Sequence, residues 1–144
     1  MAYQSVNPYD GTVVKTFEQL TDAQLESAIN TAANCFETWR DTTFTVRAAV
    51  AAKAAAIMRA RADEFARLVT LEMGKLIDQA RGEVALSADI IDYYAKNAEQ
   101  FLAPQRLAPS SGEADVMSTP FGVLFGVQPW KFPTISWRAL PHLT

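Results

Sequence analysis

Gly122–Pro133, GVLFGVQPWKFP, is a short apolar run that ends in a Pro-Trp-Lys-Phe-Pro turn. Gly122–Val127 has the length and composition of a buried strand, and the proline-bracketed residues after it read as the loop that ends it. Just upstream, Ala114–Pro120 reads as a further strand. Before that, Ala103–Glu113 carries Pro104, Pro109, Ser110, Ser111 and Gly112 and reads as a linker.

Further upstream the pattern turns helical. Leu76–Leu102 places Ile77, Ala80, Val84, Ile91, Tyr94 and Ala98 on one side of a helix. Val46–Met73 is a long helical region with a break expected near Asp63, and Gly74 is placed to cap its end. Thr21 starts an earlier helix, with Gln24 as its capping-box partner and an apolar stripe through Leu25, Ala28, Ile29, Ala32, Phe36 and Trp39. At the start, Tyr3–Val6 and Thr12–Phe17 read as two short strands joined at Asn7-Pro8-Tyr9-Asp10-Gly11, where glycine supplies a positive φ. The fold class read from these elements is mixed α/β, a mostly helical chain with few strands. A lone strand at Gly122–Val127 lacks the neighbours that bury a parallel strand on both faces, so the chain is expected to be marginally stable and aggregation-prone.

Composition removes several classes of function. The chain has 144 residues, 49% hydrophobic, with a net charge of −3, which is a globular balance. No basic patch stands out, which argues against a nucleic-acid partner. No apolar run approaches the ~20 residues that span a bilayer. The N-terminus MAYQSVNPYD has neither a basic nor an apolar leader region, and the single cysteine forms no internal disulfide, so a cytoplasmic setting is expected. One Cys and one His make no zinc constellation.

Several separated motifs fall in an order that resembles the NAD(P)-dependent aldehyde dehydrogenase family. They are NPYDGTVV at Asn7–Val14, the Ala32–Trp39 segment, the Arg47 pair, LVTLEMGK at Leu68–Lys75, ARGEV at Ala80–Val84, Tyr93-Tyr94-Ala95, and TPFGVLFGVQPWKFP at Thr119–Pro133. The EMGK and Pro-Trp-x-Phe-Pro motifs are specific, and the series covers the chain from about Asn7 to Pro133. The flavour is closest to the succinate-semialdehyde dehydrogenase branch. The resemblance implies an N-terminal hairpin and helices feeding a Rossmann-like cofactor domain, with Gly122–Val127 as its first core strand. Residues 1–133 would then be the N-terminal portion of that cofactor-binding domain.

The resemblance also implies a site. Gln128, Pro129, Trp130 and Lys131 would lie beside the nicotinamide and its ribose, consistent with ligands binding beyond the carboxyl ends of parallel strands. Lys131 stands where the family has the Asn that holds the developing oxyanion; a lysine is a poorer fixed donor there and would repel a cationic ring. The family's nucleophilic Cys, its water-activating Glu and its Gly-rich pyrophosphate turn come after this loop. The parent enzymes use NAD or NADP, whereas these residues alone are expected to bind neither and to be inactive. Docking onto full-length subunits is the alternative role.

The tail Thr134–Thr144, TISWRALPHLT, departs from the family pattern and reads as a frameshift product, making the chain a pseudogene relic. One permitted coding sequence for it, with a single T restored in front, translates as Tyr-Tyr-Gln-Leu-Ala-Arg-Val-Ala-Ala-Pro-His-Leu, which is family-like throughout. Other tempting residues have plainer readings. Cys35, beside Phe36 on an amphipathic helix, reads as a buried structural thiol. His142 falls in the tail and carries no catalytic meaning. Glu72 reads as a solvated carboxylate in a last helical turn, and Arg59, Arg61, Asp63, Glu64 and Arg67 as a wet helix face. Trp130 and Phe132 are expected to be exposed apolar groups.

Overall fold

In the turn after Val6, the Asn7 side chain accepts from the Tyr9 amide at 3.1 Å and Asp10 accepts from the Thr12 amide at 2.9 Å. Gly11 takes a φ of 74°, which the bend requires and a residue with a Cβ resists. The turn joins β1 (Tyr3–Val6) to β2 (Val13–Phe17) as an antiparallel hairpin that runs from Tyr3 opposite Phe17 to Val6 opposite Val13. The computed structural model describes residues 3–129 and 132–138, the last three as backbone.

Helix α1 (Asp22–Trp39) begins on Thr21 with both halves of the expected capping box: Gln24 N–H donates to the Thr21 hydroxyl, and Thr21 N–H donates to the Gln24 side chain at 2.9 Å. Its apolar stripe nevertheless buries nothing. Ile29 is 53% exposed, and Cys35, expected to be buried, is exposed as well. Helical spacing sets which residues share a face; only a packed neighbour buries that face, and α1 has none that covers it among the described residues.

The core lies between the next three helices, α2 (Phe44–Ala60), α3 (Ala62–Met73) and α4 (Ile77–Phe101). The break between α2 and α3 falls at Arg61, close to the expected position. Ala55, Met58, Val84, Ala88 and Ile91 form one buried cluster, and Ala66, Val69 and Ala80 a second. The small alanines let the helix backbones approach closely. Gly74 ends α3 at φ 71°, as expected of a left-handed cap, and a Cβ added there would sit 3.1 Å from the Pro8 ring. Exposed ion pairs tie the layer together outside, Arg59 to Asp89 and Asp92 and Arg81 to Asp63, which is the wet face expected of these charges.

After α4 the structure departs from the strand expectations. The linker contains a strand, β3 (Gln105–Leu107), which pairs antiparallel with β4 (Ala114–Val116), itself shorter than the expected Ala114–Pro120. Three-residue polar strands leave no alternation to read. Gly122–Val127 forms no ladder with any described strand, and Phe125 is 91% exposed. A parallel strand exists only with hydrogen-bonded neighbours, and no such neighbour is among the described residues. The chain then reaches α5 (Pro133–Arg138).

Candidate functional site

Three of the motifs that are separate in sequence meet at one buried ion pair. Gly74 turns the chain out of α3 so that Lys75 projects back over α4, where its ammonium bonds Glu83 Oε2. Glu83 lies in the apolar stripe of α4 between Ala80 and Ser87 and is only 5% exposed. Its second oxygen, Oε1, accepts from the Thr134 amide at 2.9 Å and from the Thr134 hydroxyl at 2.7 Å. The Ser87 hydroxyl is 2.8 Å from the Glu83 carbonyl and 3.1 Å from the Thr134 hydroxyl. The Lys75 ammonium also stands 4.3 Å from the centre of the Phe132 ring. EMGK, ARGEV and the end of the Pro-Trp-Lys-Phe-Pro motif thus share one contact.

Burial pushes the Glu83 carboxyl up. Lys75 and the two Thr134 donors outweigh it and hold the group below its ordinary value of 4.5. It is an ionised carboxylate near neutral pH, with donors on both oxygens.

Beside this contact lies an open apolar cavity of about 480 Å³ between α2, α3 and the start of α5, lined by Ile57, Met58, Phe65 and Leu68 among others. Glu72 stands on its edge, half-buried and with no hydrogen-bond partner among the described residues, so it is less solvated than its position in a last helical turn suggests. A second, smaller cleft of about 260 Å³ sets Cys35, Arg40 and Arg47 against Pro120 and Gly122. Arg47 stacks on Phe44 and Arg40 on Phe36.

Of the expected cofactor-side residues, Gln128 is half-buried and Pro129 exposed, while Trp130 and Lys131 lie outside the described residues, as does His142. Phe132 is exposed as expected, but its ring is engaged by Lys75. Among the described residues Gly11 and Gly112 lie in hairpin turns, Gly74 caps α3, Gly122 lies in an extended segment, and no Gly-rich turn opens a helix. No cluster of three metal-ligating side chains occurs among the described residues, and no described helix is long and apolar enough to cross a membrane.

Lys75 and Glu83 fall within the EMGK and ARGEV motifs, whose spacing alone does not pair them. One signal was present. Glu83 is the charged residue on a face it shares with Ala80, Val84, Ser87, Ala88 and Ile91, and a charge in a largely apolar stripe requires a partner.

Comparison with known proteins places this arrangement. The aldehyde dehydrogenase family model matches residues 1–144. The chain is similar to the NADP+-dependent succinate-semialdehyde dehydrogenase of Deinococcus radiodurans, 44% identical over 131 residues that make up 91% of this chain and 28% of that one. It is similar to the Mycobacterium avium enzyme of the same name at 39% identity, covering 97% of this chain and 30% of that one. Among solved structures, succinic semialdehyde dehydrogenase from Streptococcus pyogenes in complex with NADP+ superposes with a TM-score of 0.91 at 38% identity, over 95% of this chain and 30% of that chain. The chain therefore spans less than a third of the length of these relatives.

Proposed function

The chain belongs to the aldehyde dehydrogenase family, and we propose that its 144 residues are the N-terminal part of an NADP-dependent succinate-semialdehyde dehydrogenase, cytoplasmic and without dehydrogenase activity of its own. The parent reaction is oxidation of the aldehyde to the acid. The observation that carries this reading is the match of 91–97% of the chain to relatives of that name over only 28–30% of their length.

Inactivity follows from what these residues supply. The one cysteine is exposed on α1, and among the described residues no histidine or carboxylate lines the cleft beside it. Lys131 occupies the position of the oxyanion-holding Asn, and loss of one such donor costs on the order of a hundredfold or more in rate. Gln128–Lys131 is read as a vestigial cofactor-side turn. Purified chain, mixed with succinate semialdehyde and NADP+, is expected to produce no NADPH absorbance above a protein-free control. Saturable turnover would overturn the reading. Thr134–Thr144 is read as a frameshifted tail. The nucleotide sequence from the Pro129 codon onward tests that separately, since third bases incompatible with the restored frame exclude it.

A second reading is favoured by the uncovered stripe of α1, where Leu25 and Ile29 are exposed. On it the chain is a non-catalytic module docking on full-length subunits. Co-purification with an intact family member supports this, and a chain that elutes alone from such a mixture excludes it.

A further inference from the structure

We propose that the Lys75–Glu83 pair is a positioning device, which fixes the segment Phe132–Thr134 onto α4 and so sets where the chain leaves the Pro-Trp-Lys-Phe-Pro motif. The relevance of that exit point to a cofactor-side turn rests on the functional reading above; the contact itself does not.

The argument begins with how little freedom Glu83 has. A carboxylate buried in an apolar stripe is tolerated only when both oxygens are satisfied. Lys75 serves Oε2, and Oε1 is served by two donors that both belong to Thr134. Lifting Phe132–Thr134 away would strip Oε1 of both donors and take the Phe132 ring off the Lys75 ammonium. Docking of the segment and satisfaction of the buried pair are therefore one event. The exposed pairs of Arg59 and Arg81 hold no comparable segment, because water replaces any partner they lose.

The contact also has a part that does not depend on the side chain at 134. The amide of any residue there, proline excepted, can donate to Oε1, and the threonine hydroxyl adds a second bond that depends on the side chain. Ser87, within reach of that hydroxyl, gives it a second neighbour. Among the described residues Lys75 and Glu83 act through the segment they hold.

Amide hydrogen exchange on the whole chain tests this without cofactor or substrate, so a failure here leaves the functional reading standing. Protection at Thr134 is expected in the parent chain. Thr134→Val should speed exchange at position 134 by roughly tenfold after correction for intrinsic rates, with the amides of Val84, Ala88 and Ile91 unchanged. Thr134→Ser should restore protection. Glu83→Gln keeps the shape, removes the charge, and should speed exchange at Thr134 further still. Should that variant fail to fold, the Thr134 pair decides alone. The proposal is overturned if Thr134 exchanges as freely as an unstructured peptide in the parent. It is equally overturned if Thr134→Val changes nothing at 134, or if it loosens Val84, Ala88 and Ile91 as much as Thr134.

Discussion

Helices α1 and α4 are both amphipathic and both long, yet α4 buries Ala80, Glu83, Val84, Ser87, Ala88 and Ile91 while α1 buries no residue. Their apolar spacing is of the same kind, and α1 has the better N-terminal cap. What separates them is a partner. α4 lies against α2 and α3, whose alanines admit it closely, whereas the stripe of α1 leaves Leu25, Ile29 and Trp39 exposed and Ala32 and Phe36 only half-buried. An amphipathic pattern is thus a statement about what a helix can bury. Whether it does so is decided by residues far away in sequence, and the stability of this chain should be concentrated accordingly.

The sharpest break in the comparison is a charge rather than a methyl. Glu83→Ala leaves Lys75 among apolar neighbours without its carboxylate, and removing one member of a buried pair typically costs about 3–5 kcal/mol. Urea unfolding followed by circular dichroism should show a lowered midpoint of that order, if the variant folds at all. The pH dependence has a definite sign. The folded-state value of Glu83 is held below 4.5, so its contribution is complete above pH 4.5 and is lost as pH falls through the lower folded value. The stability difference between the parent and Glu83→Gln should therefore be flat near neutrality and shrink in acid. A difference that grew in acid would show that the pair does not stabilise the folded chain.

A smaller effect should separate alanine truncations on the two helices. Val84 is fully buried, and Val84→Ala should cost about 2 kcal/mol through lost burial and a residual void. Ile29→Ala removes more carbon from a half-exposed site and should change stability by no more than about 0.5 kcal/mol. Equal costs would mean that something covers α1 in solution, which is the result the docking reading needs.

How much of this was legible follows the same division. The Thr21–Gln24 capping box, the Gly74 cap and the interruption expected near Asp63 and found at Arg61 could be read, because each depends on residues within a turn or two of one another, and so could Ala80, Val84 and Ile91 as one face of α4. The exposure of Cys35, the missing ladder at Gly122–Val127 and the strand at Gln105–Leu107 could not, because each depends on which distant segment lies alongside. The Lys75–Glu83–Thr134 contact falls between the two cases. Lys75 and Glu83 are eight residues apart and within quoted motifs, but Thr134 lies 51 residues beyond Glu83, in a segment read as foreign to the family pattern. Recognising the motifs located the residues without showing that they touch.

The smallest expected effect tests the comparison from its other side. Thr21→Ala removes the hydroxyl that accepts the Gln24 amide, and loss of such a cap typically costs about 1 kcal/mol of helix stability. In a helix packed into the core that cost would appear in global unfolding. In α1 it should not, because an 18-residue helix with no buried residue is held by little besides its own hydrogen bonds and can fray while α2–α4 stay folded. The expected result is faster amide exchange along α1 and a slightly weaker helical signal, with the urea midpoint of the core unchanged. If the midpoint moves by the full cost of the cap, α1 is coupled to the core after all. Its exposed stripe then contributes to one cooperative unit, and the contrast between the two helices reduces to one of surface area.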